Sequence, residues 1–517
     1  MSITTSPVRK KPNESPATMV RDENYGTITP ITSEPTPEIV AKKIDGTNAS
    51  HIDIDHDAEN ARRFVANYAD KVRYCPERGE WLTFDGQRWR VDRDNVTVGE
   101  LAKESNLEQS RELLDQASNN QDTTTRKQLK RRANRLGMRG AIEAAVQLAR
   151  TDPKIIVTLK QLDAEEYALN CFNGILNLRT GKLEPHDPAR LMTKMANVKF
   201  EPNAKAPRWE IFLTEILPNP EIQEYLQQFL GSSLSAAIID QQLHEFVGTG
   251  ANGKSVLVEI FREILGDYAA IIESELLVET RNEGHPTSKM QLIGARFATC
   301  NEIEGNARLS EVKVKRLTGG DKLQARGMHK DFVEFAPTFK PVLIANYRPT
   351  IQDTDEAIRR RLIVVPFDVT IEPLKRDPHL KAKLMTELPG ILAWALEGCL
   401  AWQRAGKLEQ PKDIEMATLT MFNENDTVTA FIDECCTREI DAREPRGMFY
   451  DSYVNWCKKA ALPMKSANVV ARQMKRTFQM ARTTQRLWVG LTINPEHRVG
   501  EQLTLDTKMT STKTRTT

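Results

Sequence analysis

Apolar and polar positions first fall into a regular pattern near Asn60. The stretch "ARRFVANYADKVRYCPERGEWLTFDGQRWRVD" opens with apolar residues at helical spacing, then alternates apolar and polar residues around "ERG" and "FDGQ". That switch of period predicts an amphipathic helix followed by short paired strands. Residues 97 to 150 are dense in Arg, Lys, Glu and Gln at helical spacing, which predicts two charged helices separated near "SNNQDTTT". "CFNGILNLRTGKLEPH" (171–186) reads as a hairpin about "RTG", and "APRWEIFLTEI" and "EIQEYLQQFLGSSLSAAI" read as amphipathic helices. From "HEFVG" to Asp368, strand-like and helix-like runs alternate, the pattern of a mostly parallel α/β sheet. Residues 379–425 are helical in pattern, and 427–495 give three short helices and a β-rich "RTTQRLWVGLTI", the order of a winged helix.

These changes divide the chain into a multidomain α/β protein. The expected units are an α+β N-terminal region at 58–200, an α/β core with its preceding helices at 201–370, a helical segment at 371–425 and a winged-helix-like domain at 426–497. Residues 1–57 hold "SPVRKKPNESPAT" and "TPITSEPTPE", too rich in Pro, Ser, Thr and Glu to form a core, and are expected to be a disordered tail. Residues 498–517 are expected to be a second polar tail.

Composition narrows the class. With 40% apolar and 28% charged residues over 517 positions, the chain matches a soluble globular protein of several domains. No apolar run approaches the roughly 20 residues of a membrane span; the best, "LPGILAWALEGCLAW", carries Glu397. The seven cysteines show neither CxxC pairs nor zinc spacing. A reduced cytoplasm is the expected location, with no membrane partner. Lys and Arg number 72 against 71 Asp and Glu, so any contact with nucleic acid must come from a local basic feature.

One motif carries chemistry. "GTGANGKS" matches G-x-x-x-x-G-K-[ST] in full with Gly248, Thr249, Gly250, Ala251, Asn252, Gly253, Lys254 and Ser255, between a strand-like "HEFVG" and a helix-like "SVLVEIFREILG". Glycines in such a loop let backbone N–H groups converge on phosphate oxygens at a helix N-terminus. Lys254 is expected to span the β and γ phosphates of ATP, and Ser255 to ligate Mg²⁺.

Three further strand ends follow. "ARFATCNEIE" ends in Asn301-Glu302, where Glu302 is the candidate to orient water and assist the metal; Asn301 stands where many such ATPases have an Asp. "FKPVLIANYRP" ends in Asn346, a polar amide suited to sensing the γ phosphate or positioning water. "DEAIRRRLIVVPF" places Arg359, Arg360 and Arg361 before another strand, where one of them would act as an arginine finger.

With these elements in this order, the chain resembles the superfamily 3 helicases, and more closely the phage and plasmid primase-helicase family that includes the poxvirus primase-helicase. The likeness covers roughly residues 60–495. It implies an AAA+-like P-loop core, a homo-oligomeric, hexameric ring with ATP between subunits, and DNA translocation. The "RRL" of "RRRL" best fits the family pattern, which favours Arg360 as finger with Arg361 next. Two strand-like stretches around "GMHKD" form a hairpin with His329 and Lys330 at its tip; the resemblance implies that this hairpin grips single-stranded DNA in the channel. Family members often carry a primase ahead of the helicase, whereas here that space holds the short tail, so a separate primase is expected as partner. The leading reading is an ATP-dependent helicase of phage, prophage or plasmid replication acting on single-stranded and forked DNA in a bacterial cytoplasm. The alternative is an ATP-dependent initiator or loading scaffold without processive unwinding; a small-molecule P-loop kinase would need neither the basic hairpin nor the winged helix.

Overall fold

In the computed structural model, residues 56–280, 286–301, 308–327, 331–346, 350–351, 356–482 and 485–499 are described. The expected N-terminal tail lies outside them except for His56 and Asp57, which open the first helix, and the C-terminal tail lies outside them from residue 500 onward.

The N-terminal region begins with α1 (His56–Tyr68), whose Phe64 meets Trp81 edge to face across a three-stranded antiparallel sheet of β1 (Val72–Cys75), β2 (Glu80–Phe84) and β3 (Trp89–Val91). The turns of this sheet fall at "ERG" and "FDGQ", where Gly79 and Gly86 take φ of 62° and 96°. Three helices follow where two were expected: α2 (Val96–Asn119), α3 (Thr123–Leu136) and α4 (Arg139–Ala149). The first break is the expected one, and Asp122 caps α3 by accepting from the backbone N–H groups of Thr124 and Thr125. The second comes at Gly137, where glycine's poor helix propensity lets the chain turn between two helix-forming runs. The expected hairpin at 171–186 is the second half of a three-stranded sheet of β4 (Ala168–Cys171), β5 (Gly174–Asn177) and β6 (Lys182–Glu184). β4 is buried at all four positions, so it lacks the alternation that marks a strand in sequence.

After α5 (Pro207–Ile216) and α6 (Pro220–Ser232), the chain builds its central sheet. In order come β7 (Leu243–Val247), α7 (Lys254–Leu265), β8 (Ala269–Ile271), β9 (Phe297–Asn301), β10 (Arg308–Leu309), α8 (Glu311–Thr318), β11 (Leu323–Arg326), β12 (Phe332–Phe335), β13 (Lys340–Ala345), β14 (Thr350–Ile351), α9 (Glu356–Arg359) and β15 (Leu362–Pro366). Five of these strands form one sheet in the order β15-β7-β13-β9-β8, every neighbouring pair parallel. Both faces are covered, which is why the strands read as near-continuous apolar runs. Phe246, Val342 and Val365 belong to one apolar cluster, while Leu343, Val364 and Ala298 belong to the other.

The first cluster extends from Leu169 in β4 to Ile414, so the expected units share a core. It includes α11 (Leu388–Ala405), which follows α10 (Leu380–Met385) and precedes α12 (Lys412–Glu424). Among the described residues no single helix is long and apolar enough to cross a membrane; the apolar run of α11 is spent on this core. The C-terminal lobe has a core of its own, with Phe431, Phe449, Tyr453 and Trp488. It consists of α13 (Thr427–Cys435), β16 (Cys436–Thr437), β17 (Arg443–Pro445), α14 (Arg446–Lys459), α15 (Ala467–Thr477), β18 (Gln479–Arg482), β19 (Arg486–Val489) and β20 (Thr492–Ile493).

Candidate functional site

The parallel register brings four strand ends to one edge of the central sheet. Val247 lies opposite Ala345 and Pro366, and Asn301 lies opposite Ile344. The glycine-rich loop 248–253 leaves β7 at that edge, and Asn301 and Asn346 emerge beside it. Ligands of open parallel sheets sit at the carboxyl ends of the strands, where helix N-termini also point.

The loop is held in a conformation that glycine makes accessible. Gly250, Ala251 and Gly253 take φ of 96°, 50° and 79°. Ala251 is therefore a non-glycine residue in the left-handed region, a placement kept only where neighbours over-determine it. Those neighbours are the segment after β15. The N–H of Ile371 donates to the Ala251 carbonyl at 2.9 Å, and the Asn252 side-chain amide donates to the Phe367 carbonyl at 3.2 Å. A Cβ at Gly248 would collide with the Phe367 carbonyl and the Asn252 amide, and one at Gly253 would fall 2.5 Å from Ile216 Cγ2 of α5.

Lys254 and Ser255 open α7. The Lys254 side chain is 2% exposed and folds back into the loop, with Nζ donating to the Gly248 carbonyl at 2.7 Å and to Asn252 Oδ1 at 3.0 Å, and lying 3.5 Å from Asn346 Oδ1. Burial pulls its pKa below the usual lysine value. The ammonium is surrounded by neutral oxygens, so an anion entering the loop would gain a poorly screened cation. Ser255 is exposed and lines a cleft of about 330 Å³ together with Val258, Glu259, Arg262, Asn301 and Asn346.

The other expected residues separate into two groups. Glu302, His329 and Lys330 lie outside the described residues, although the β11–β12 antiparallel pair that would carry the hairpin tip is described, with Arg326 opposite Phe332. Arg360 and Arg361 stand at the other edge of the sheet. They immediately precede Leu362, which pairs with Leu243 at the start of β7, so β7 alone puts about 13 Å between them and the loop. The two differ in environment. Arg360 is exposed, whereas Arg361 is buried and donates from Nη1 to the Ala357 carbonyl at 2.8 Å. Arg359 packs its guanidinium 5.0 Å from the Phe422 ring centre.

Sequence reasoning passed over Glu259 and Arg262. Both follow Ser255 on one face of α7, at i+4 and i+7, a spacing that identifies them once the helix is granted. The strap at 367–371 had no signal of its own, because its part is played by backbone carbonyls and N–H groups.

Family models match three stretches: residues 61–218 match "D5 N terminal like", 246–361 a "Family of unknown function (DUF5906)" and 423–481 "Poxvirus D5 protein-like". Among relatives, "Putative helicase L207/L206" of Acanthamoeba polyphaga mimivirus is 28% identical over 311 residues, 56% of this chain and 32% of its own. "Putative primase C962R" of African swine fever virus (isolate Tick/Malawi/Lil 20-1/1983) is 25% identical over 213 residues, 40% of this chain and 22% of its own. The D5-type models and the names of these relatives together support a primase-helicase family. The match to these relatives spans about a third of their length or less. A solved structure, "The A form apo structure of NrS-1 C terminal region-CTR", aligns with a TM-score of 0.46 at 9% identity, covering 81% of this chain and 95% of that one.

Proposed function

We propose that this D5-like chain is an ATP-dependent DNA helicase of a replication system, working as a hexameric ring with ATP hydrolysed between subunits. The observation that carries the reading is that the left-handed glycine loop and buried Lys254, 3.5 Å from Asn346, adjoin a cleft lined by exposed Ser255, Asn301 and Asn346 at the carboxyl edge of the sheet.

The residues present suit a nucleotide triphosphate. The space above Gly250 is open, and Lys254 Nζ has oxygen partners that phosphate oxygens would replace. In this reading the loop N–H groups and Lys254 hold the β and γ phosphates, Asn346 positions the attacking water or senses the γ phosphate, and Glu302 accepts a proton from that water. Ser255 and Glu302 would hold magnesium, which when bound neutralises developing charge on the phosphates. Arg360 enters the neighbouring subunit's cleft. The β11–β12 hairpin, through His329 and Lys330, contacts the single strand, and the C-terminal lobe acts as a winged helix.

The test is strand displacement on a forked DNA. The protein is expected to separate the strands with ATP and Mg²⁺, and Lys254→Ala to lose both unwinding and ATP turnover by at least about a hundredfold, as for the removal of one charge-stabilising donor. ATP turnover and DNA binding without displacement would favour the initiator or loading scaffold. Full turnover by a folded Lys254→Ala protein would remove the nucleotide reading altogether.

A further inference from the structure

Helix α3 carries the most lopsided charge in the chain. From Thr123 to Gly140 there are seven cations, Arg126, Lys127, Lys130, Arg131, Arg132, Arg135 and Arg139, and no acid. This stands out because the whole chain carries a net charge of only +1.

The cations are not distributed alike. Leu129, Ala133 and Leu136 face α2 and form a small apolar cluster with Leu113. Beside that seam Arg132 pairs with Glu59 at 2.5 Å, and Arg135 lies 3.7 Å from Asp57; Arg139 pairs with Glu143 at 2.6 Å. Arg126, Lys127, Lys130 and Arg131 sit at i, i+1, i+4 and i+5, which is one stripe turned to solvent. None of these four has an ion pair or side-chain hydrogen bond among the described residues. Three acids of α2 are engaged elsewhere: Glu112 takes both Nη atoms of Arg63 and Glu104 bonds Tyr68, both on α1, and Glu100 pairs with Lys103 within α2.

We infer that this stripe of α3 binds the phosphate backbone of double-stranded DNA, as a surface separate from the ATP cleft and from the β11–β12 hairpin. Duplex DNA presents one negative charge per roughly 1.7 Å of axis, a density that a helix with four unpaired cations in less than two turns complements. Single strands are gripped by stacking as well as charge, and residues 120–140 contain no aromatic side chain. A membrane surface would need an apolar face beside the charge, but the apolar residues of α3 are spent on α2.

Fluorescence anisotropy with a blunt duplex, without ATP and across a salt series, tests this. The full chain is compared with a variant carrying Arg126→Gln, Lys127→Gln, Lys130→Gln and Arg131→Gln; the sites are exposed and have no ion pair or side-chain hydrogen bond among the described residues, and DNA-free ATP turnover checks the fold. Duplex affinity at low salt is expected to fall at least tenfold. The slope of log K against log salt should shrink by about 3 to 4, since each lost phosphate contact removes about 0.9. Oligo-dT binding should be retained, as should duplex binding in a variant that keeps charge through Arg126→Lys and Arg131→Lys. Lys254→Ala should bind duplex normally, which separates this surface from the nucleotide reading. Unchanged duplex affinity and slope, or a loss confined to oligo-dT or to poly-glutamate, would overturn the inference, the last in favour of an acidic protein partner.

Discussion

Two buried cations tie neighbouring segments to the central sheet, and one of them should govern a pH response. Arg296 donates to the carbonyls of Leu234, near the end of α6, and of Ala168 in β4, and stacks over Tyr268 at 4.2 Å. Lys340, at the start of β13, donates from Nζ to the Ser235 carbonyl at 2.6 Å. Burial, with Arg296 adding repulsion, pushes the Lys340 pKa down from 10.5 to about 7. An unfolded chain holds that proton up to about pH 10.5, so between pH 7 and 10.5 unfolding takes one up and stability rises with pH. Below pH 7 the amine is charged in both states, and the contribution stays at its least favourable value. The urea stability of the protein minus that of Lys340→Met is therefore expected to increase from pH 7 to pH 10, by up to about 1.4 kcal/mol per unit. A difference independent of pH would mean that the amine keeps its proton in the fold. None of this was legible in the sequence, where "FKPVLIANYRP" shows a lysine at a strand entrance and nothing says that it is enclosed. The loop residues were legible, because spacing alone defines that motif.

Between α6 and α11 the fold depends on two small residues facing each other. A Cβ on Gly231 would fall 2.5 Å from the Ala395 carbonyl, and one on Gly398 would collide with the Gln227 carbonyl. The close approach matters for the cleft, because α6 supports the strand that leads into the loop. Phe229 stacks on His244 of β7 at 3.7 Å between ring centres, and Tyr225 shares a 2.8 Å hydrogen bond with His244 Nε2. Burial pushes the His244 pKa down to about 3, which keeps the ring neutral and the contact constant at physiological pH. Gly398→Ala is a decisive change because two effects predict opposite signs. Helix propensity alone would stabilise α11 by roughly 1 kcal/mol, whereas the backbone collision should cost about 1–3 kcal/mol or more. The lower thermal midpoint is expected, and a raised midpoint would show that the helices do not meet here. Element types were largely readable: β7, the loop and α7 follow the expected strand, turn and helix. The failures share a cause. The third helix at 139–149 and the strand at 168–171 lie in runs whose periodicity does not change at the break or is erased by burial on both faces.

At the scale of the whole molecule, parallel register turns the arginine question into geometry. A sequence cannot say which edge of a sheet a residue occupies until strand order is known, and the order β15-β7-β13-β9-β8 puts Arg360 at the amino edge while Lys254 stands at the carboxyl edge. The separation exceeds the reach of an arginine side chain, so within one chain Arg360 has no access to its own loop. Arg361 is buried and engaged by the Ala357 carbonyl, whereas Arg360 is exposed on a surface another subunit could meet. If the proposed ring forms, each cleft would take its arginine from a neighbour, where the planar charge stabilises phosphoryl transfer. Arg360→Ala and Lys254→Ala proteins, each inactive in ATP turnover, are then complementary. Co-assembled rings contain interfaces that pair an intact Lys254 with an intact Arg360 from next door, and in a random one-to-one mixture about a quarter of the interfaces qualify. Partial recovery of turnover on mixing is the expected outcome, rising with the time allowed for subunit exchange. An Arg361→Ala protein should give no such complementation, because its defect is internal to the subunit that carries it. Rings shown by mass to be mixed yet still inactive would place the finger elsewhere, and would count against ATP binding between subunits.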